Sequence, residues 1–140
     1  MSSGLTKDEI TRIDDFLKPS MIALVATIGK FGMPQLTPNW YRFEDGKLTI
    51  STTKCRIKYK NLSRDPRLSV CIHSEPRAAN YVVLSGKAKI MDGEEIWPET
   101  EAIIERYMSK EWVPERIVHM RAEGSVIISL QPERVLFRSV

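Results

Sequence analysis

The feature that most constrains this chain lies between Met21 and Thr53, where three apolar, β-forming runs follow one another at hairpin spacing. Met21–Ile28 is a continuous apolar run, turned by Gly29-Lys30-Phe31-Gly32, with Pro34 opening the return. Leu36–Phe43 is the second run, interrupted by Pro38, which marks a sheet edge or a bulge. Glu44-Asp45-Gly46-Lys47 follows as a hairpin turn, since Asp-Gly supplies the positive φ that tight turns need. Leu48–Thr53 is the third run. Parallel neighbours need a crossover of a dozen residues or more, and these turns are too short for one. The segment is therefore expected to be an antiparallel meander.

The rest of the chain extends that pattern. Leu68–His73 and Tyr81–Met91 read as strands, and Ser125–Leu130 and Arg134–Phe137 as two closing strands divided by Pro132. Thr6-Lys7-Asp8-Glu9 has the form of a capping box. It opens a helix whose apolar residues Ile10, Ile13, Phe16 and Leu17 share a face until Pro19 stops it. Pro98–Met108 and Pro114–Arg121 read as two further helices, and the first few residues as disordered. The expected fold is mainly β with flanking helices: six to seven antiparallel strands in a closed or nearly closed barrel. Its 140 residues suit a single domain, 1–140, with an N-terminal helix over 1–19 and a helical insertion over 97–122. A domain of this size buries roughly two-thirds of its unfolded surface, enough for a core without disulfide or metal staples.

Charge and cysteines narrow the function classes. The net charge is only +3, yet Lys54, Arg56, Lys58, Lys60, Arg64 and Arg67 crowd one short stretch. Such a stretch is either a solvated helix face or an anion site. As a nucleic-acid surface it is poorly equipped, with Tyr59 its one aromatic. Cys55 and Cys71 form no CxxC and have no clustered histidines, so no metal site is expected, and reduced thiols suit the cytoplasm. The polar N-terminus is unlike a signal peptide, and no apolar run approaches the roughly 18 residues of a membrane span.

The stretch Ser51–Arg67 carries the chemistry. A strand ends in Ser51-Thr52-Thr53 and a short basic helix begins at once, so hydroxyls and free helix N–H groups are brought together as an anion pocket. Arg56 and Lys58, two residues apart, place cations near the same point, where a phosphate would receive charge-assisted hydrogen bonds. The alternative is a capped surface helix with exposed lysines. His73 and His119 have no acid or nucleophile at a telling spacing, and Cys55 beside Lys54 and Arg56 is a minor redox candidate. No Ser/His/Asp set and no paired carboxylates are recognisable, so the catalytic residues are left unassigned.

Two patterns then coincide: Thr52…Arg56-x-Lys58-x-x-Asn61-Leu62-x-x-Asp65-Pro66-Arg67, and Gly32-x-Pro34-x-x-Thr37-Pro38-x-Trp40 before it. Together they resemble the pyridoxamine 5'-phosphate oxidase-like split-barrel superfamily in order and spacing from about Met21 to Ile90. The resemblance implies a homodimer with cofactor sites at the subunit interface, binding FMN, a deazaflavin or, in a minority, haem. It implies that Thr52, Thr53, Arg56 and Lys58 hold the cofactor phosphate, that Lys54 attracts a longer anionic tail, and that Asn61 also belongs to the cofactor site. Gln35, Leu36, Thr37, Pro38 and Asn39 would line the ring, and Tyr81 would reach a site on the partner subunit. FMN-using pyridoxamine phosphate oxidases carry an arginine and a lysine on the second strand. Gln35-Leu36-Thr37-Pro38-Asn39-Trp40 has neither, so the resemblance favours the branch using the deazaflavin coenzyme F420, with FMN as the alternative. The expected activity is hydride transfer from reduced F420 to a small conjugated substrate, the cofactor supplying the chemistry. The rival expectations are a non-catalytic flavin, deazaflavin or haem binder of the same fold and, more remotely, a nucleic-acid binder.

Overall fold

In the computed structural model, which describes residues 5–139, every strand pair is antiparallel. The expected disorder of the first few residues falls largely outside the described range. The elements run α1 (Lys7–Leu17), β1 (Ala23–Ile28), β2 (Pro34–Asn39), β3 (Tyr41–Glu44), β4 (Lys47–Thr53), α2 (Ile57–Arg64), β5 (Arg67–His73), β6 (Tyr81–Met91), α3 (Trp97–Glu105), α4 (Val113–Ala122), β7 (Ser125–Leu130) and β8 (Arg134–Arg138). Seven strands form one path, β2-β1-β5-β6-β7-β4-β3, and the eighth, β8, lies off it beside β6. This is mainly antiparallel β architecture with four α-helices, consistent with a split barrel.

The strand count exceeds the expected six to seven because the second apolar run breaks at Asn39–Trp40 into β2 and β3. Among the described residues β2 pairs only with β1, and on this edge Pro34 and Pro38 leave no neighbour without a donor. The expected hairpin turn is present: Asp45 and Gly46 both have positive φ, 53° and 76°. Strand β6 is shared by the two halves of the sheet. Its first part, to Lys87, pairs with β5, and Tyr81–Ser85 also pairs with β8; from Ala88 it pairs with β7. Gly86 sits where the partners change, and an added Cβ would lie 3.2 Å from the Glu133 backbone nitrogen.

The core fills the barrel with Val25, Tyr41, Ile50, Val70, Ile72, Leu84 and Ile128 among its members. All six residues of β7 are buried. Its inward residues Ile128 and Leu130 belong to the barrel core, while Ile127 packs outward against Ile96 and Ile103. A strand covered on both faces reads as a continuous apolar run, as Ser125–Leu130 does. The helices α3 and α4 thus form a layer outside β7 and β4, with Ile104, Val113 and Met120 as their own small cluster. Helix α1 is capped as its sequence implies: Thr6 Oγ1 accepts from Glu9 N at 3.1 Å, and Thr6 N donates to Glu9 at 3.2 Å. Tyr41 seals its far end by donating to the Leu17 carbonyl at 2.8 Å.

Candidate functional site

A cleft lies where the end of β4, the end of β2, the start of α2 and one face of α4 meet. It has two connected compartments that share Pro38, Asn39, Ser51, Arg116 and Met120. The polar compartment, about 370 Å³, is lined also by Thr37, Thr52, Thr53, Arg56, Lys58 and Glu123. The apolar one, about 400 Å³, adds Ile22, Trp40, Ile103 and Ile104. Each is of a size for a small organic molecule, which generally occupies roughly 300–1,000 Å³.

The polar compartment has the features of an anion site. Helix α2 starts one turn later than its sequence suggests: Arg56 N donates to Thr53 O at 3.1 Å, so residues 54–56 form a turn and Arg56 becomes an extended N-cap. No side chain caps this helix, so its first N–H groups are left for another acceptor. Lys58, in the first turn, is only 7% exposed, and no carboxylate forms an ion pair with it among the described residues. Burial, and then the Arg56 guanidinium, hold its ammonium below the usual lysine value. Ser51 sits between the compartments with its hydroxyl buried and without a hydrogen-bond partner. A buried hydroxyl without a partner and, beside it, an ammonium with no ion pair among the described residues are groups that an incoming anion would satisfy.

Seven of the sequence-predicted site residues meet here: Thr37, Pro38, Asn39, Thr52, Thr53, Arg56 and Lys58. The other five are directed elsewhere. Gln35 points inward, its Oε1 accepting from Thr27 Oγ1 at 3.4 Å, and Leu36 points outward, 66% exposed. Lys54 pairs with Asp92 at 3.3 Å. Asn61 is buried and used by the protein itself, donating to Thr27 Oγ1 at 3.0 Å and accepting from Arg64 at 2.8 Å. Tyr81, at the start of β6, lines neither compartment. The basic stretch is further thinned by Arg67, which forks onto Asp65 and holds that carboxyl down to about 2. Cys55 is exposed, its sulfur 3.1 Å from Thr53 Oγ1.

Sequence reasoning missed the wall that α4 provides. Arg116, Met120 and Glu123 lie four and three residues apart, which places them on one helical face. That spacing was visible, but not which strands the face would meet. Trp40, which closes the second sequence pattern, lines the apolar compartment. Its ring stacks on Tyr107 with centroids 4.8 Å apart and planes within 2°, and the Tyr107 hydroxyl donates to Met21 O at 2.6 Å.

Comparison with known proteins agrees with this architecture. A family model described as pyridoxamine 5'-phosphate oxidase matches residues 10–139. A conserved hypothetical protein from Mycobacterium tuberculosis superposes with a TM-score of 0.78 at 26% identity, over 96% of this chain and 85% of that one. An F420 reductase gives 0.72 at 19% identity, over 88% and 94%. General Stress Protein 26 from Bacillus anthracis gives 0.63 at 14%, over 94% and 92%.

Proposed function

The chain belongs to the pyridoxamine 5'-phosphate oxidase family, and from that premise we propose that it is an oxidoreductase holding a phosphorylated flavin-type cofactor in the Lys58 cleft. The observation that carries the reading is Lys58, a mostly buried lysine beside Arg56, with no ion pair to either among the described residues. Lys58, Arg56, the Thr52 and Thr53 hydroxyls and the uncapped start of α2 are suited to a phosphate. The backbone of Thr37–Asn39 borders the same space and is suited to a ring edge. Coenzyme F420 is favoured over FMN because β2 supplies no arginine or lysine to complete an FMN clamp. The F420 reductase likeness agrees with this choice at the level of fold. When bound, such a cofactor supplies the hydride that reduces a conjugated small molecule. The chain's own part is to neutralise the phosphate, orient the ring and exclude water with Trp40, Ile103 and Met120.

The reading includes a second copy of the chain. On the outer face of the sheet, Pro38, Leu24, Cys71, Val83 and Leu136 stand in register as one row across β2, β1, β5, β6 and β8. Leu24 and Leu136 are 37% and 57% exposed, so that the described residues leave this apolar row uncovered at both. Pro38 belongs both to this row and to the cleft, so a copy docked on the row borders the cofactor site. Tyr81 is on the same face, opposite His73, and is the residue we assign to the partner's site. The whole chain acts as one domain in this reading, and reduced Cys55 and Cys71 suit a cytoplasmic protein.

The test is fluorescence titration of the pure protein with F420 and with FMN. Micromolar or tighter F420 binding with weaker FMN binding is expected. If neither binds, the reading is wrong.

A further inference from the structure

We infer that the Trp40 end of the cleft is a subsite for a flat, conjugated organic carboxylate, with Arg116 as the residue that selects its charge. This rests on the reading that the Lys58 end holds a cofactor phosphate. The two ends have different chemistry. Hydroxyls and cations crowd the Lys58 end, whereas Ile22, Ile103, Ile104 and Met120 wall the other. An apolar wall gives a phosphate nothing, and it gives a planar conjugated molecule a place to shed water.

Trp40 makes that wall specific for flat ligands. Stacked on Tyr107, whose hydroxyl is tied to the Met21 carbonyl, the indole is fixed before any ligand arrives. Trp40 is still 36% exposed and borders the compartment. A preset aromatic platform favours a second planar system by offset stacking, with little ordering left to do.

The polar groups of this end define the charge. Ser51, whose hydroxyl is buried and unpartnered, and Arg116 stand at the neck shared by the two compartments. No acid forms an ion pair with Arg116 among the described residues, and Glu123, on the same helical face, borders the Lys58 end alone. A neutral aromatic would use the apolar wall and leave both polar groups idle. A carboxylate uses both, pairing with the guanidinium and accepting from the hydroxyl.

The test is calorimetric titration of the cofactor-free full chain with naphthoate and with its neutral isostere naphthamide. Naphthoate should bind more tightly by about fivefold, the most that an exposed ion pair generally supplies. Arg116→Gln, at an exposed position, should melt like the parent, erase that preference and keep the naphthamide affinity. Trp40→Ala should weaken both ligands. Naphthoate should still bind when F420 saturates the protein. Equal binding of the two ligands, an unchanged preference in Arg116→Gln, or displacement of naphthoate by F420 overturns the subsite. Intact naphthoate selectivity in a protein that binds neither F420 nor FMN overturns the cofactor reading and leaves the subsite standing.

Discussion

Lys58 sets two properties of the protein against each other. A mostly buried lysine with no ion pair among the described residues weakens the fold, and the same ammonium attracts a phosphate. Lys58→Met, which keeps the bulk and removes the charge, should therefore raise the stability of the free protein by about 0.5–2 kcal/mol. It should weaken phosphate-bearing cofactors by about 1.5–3 kcal/mol, the worth of a charged hydrogen bond. Chemical denaturation and calorimetry read the two effects separately; a variant that loses both stability and affinity would mean Lys58 is structural. The pH dependence follows from the same residue. Its folded pKa is lowered, and a bound phosphate raises it again, so binding takes up a proton. Affinity should be highest below the free protein's Lys58 pKa and fall as pH rises through it, and Lys58→Met should flatten that profile. Tyr41 has the opposite sign for stability. Burial, and then its neighbour Tyr107, push its phenol from 10.0 up to about 12. A raised folded pKa contributes stability fully present below pH 10 and lost as pH climbs towards 12. Tyr41→Phe should remove that alkaline loss, measured as the thermal midpoint between those pH values.

At the scale of elements, the question is what holds α2 against the strands so that its bare first turn faces the cleft. A chain of side chains does it: Arg64 donates to Asn61, Asn61 to Thr27, and Thr27 to Gln35, joining α2 to β1 and β2. Asn61→Leu breaks this chain in its middle, taking away the donor to buried Thr27 and one acceptor of Arg64, and should destabilise by about 1–3 kcal/mol. It should also weaken anion binding, although Asn61 lines neither compartment; Lys60→Ala, at an exposed position of the same helix, should change neither. The comparison of melting points and phosphate affinities tests whether Asn61 acts through position. This division also shows how far the sequence could be read. Local signals carried the elements: the Thr6 capping box, the Asp45-Gly46 turn and the full extents of β6 and β7 follow from neighbouring residues alone. The strand end and basic turn that meet at the polar compartment were legible for the same reason, being contiguous from Ser51 to Lys58. Asn61 was assigned to the cofactor because a motif does not say which way a side chain turns. The α4 wall was out of reach because Arg116 and Met120 meet Ser51 only through the packing of α3 and α4 on β4 and β7, across half the chain.

For the whole molecule, the outer row of the sheet has to be reconciled with the cleft. Single exposed apolar residues are ordinary on a protein surface, but five in register across five strands form a continuous stripe. The stripe reaches the cleft at Pro38, on an edge strand whose far side pairs with no strand among the described residues. A two-fold copy seated on the stripe would cover apolar surface on both chains with the same patch, the arrangement an isologous dimer requires. It would also bring Tyr81, which the chain's own cleft does not use, towards the other subunit. Leu24→Glu places a charge within the stripe without entering the core, since Leu24 points out of the sheet between Pro38 and Cys71. The wild type should run as a dimer by size-exclusion chromatography with light scattering, and Leu24→Glu as a folded monomer with an unchanged circular dichroism spectrum. Cofactor affinity should fall with the loss of the second chain, and Tyr81→Ala should lower affinity while leaving the dimer intact. A monomeric wild type, or a Leu24→Glu monomer that binds cofactor as tightly as the parent, would place both walls of the site within one chain and return Tyr81 to the surface.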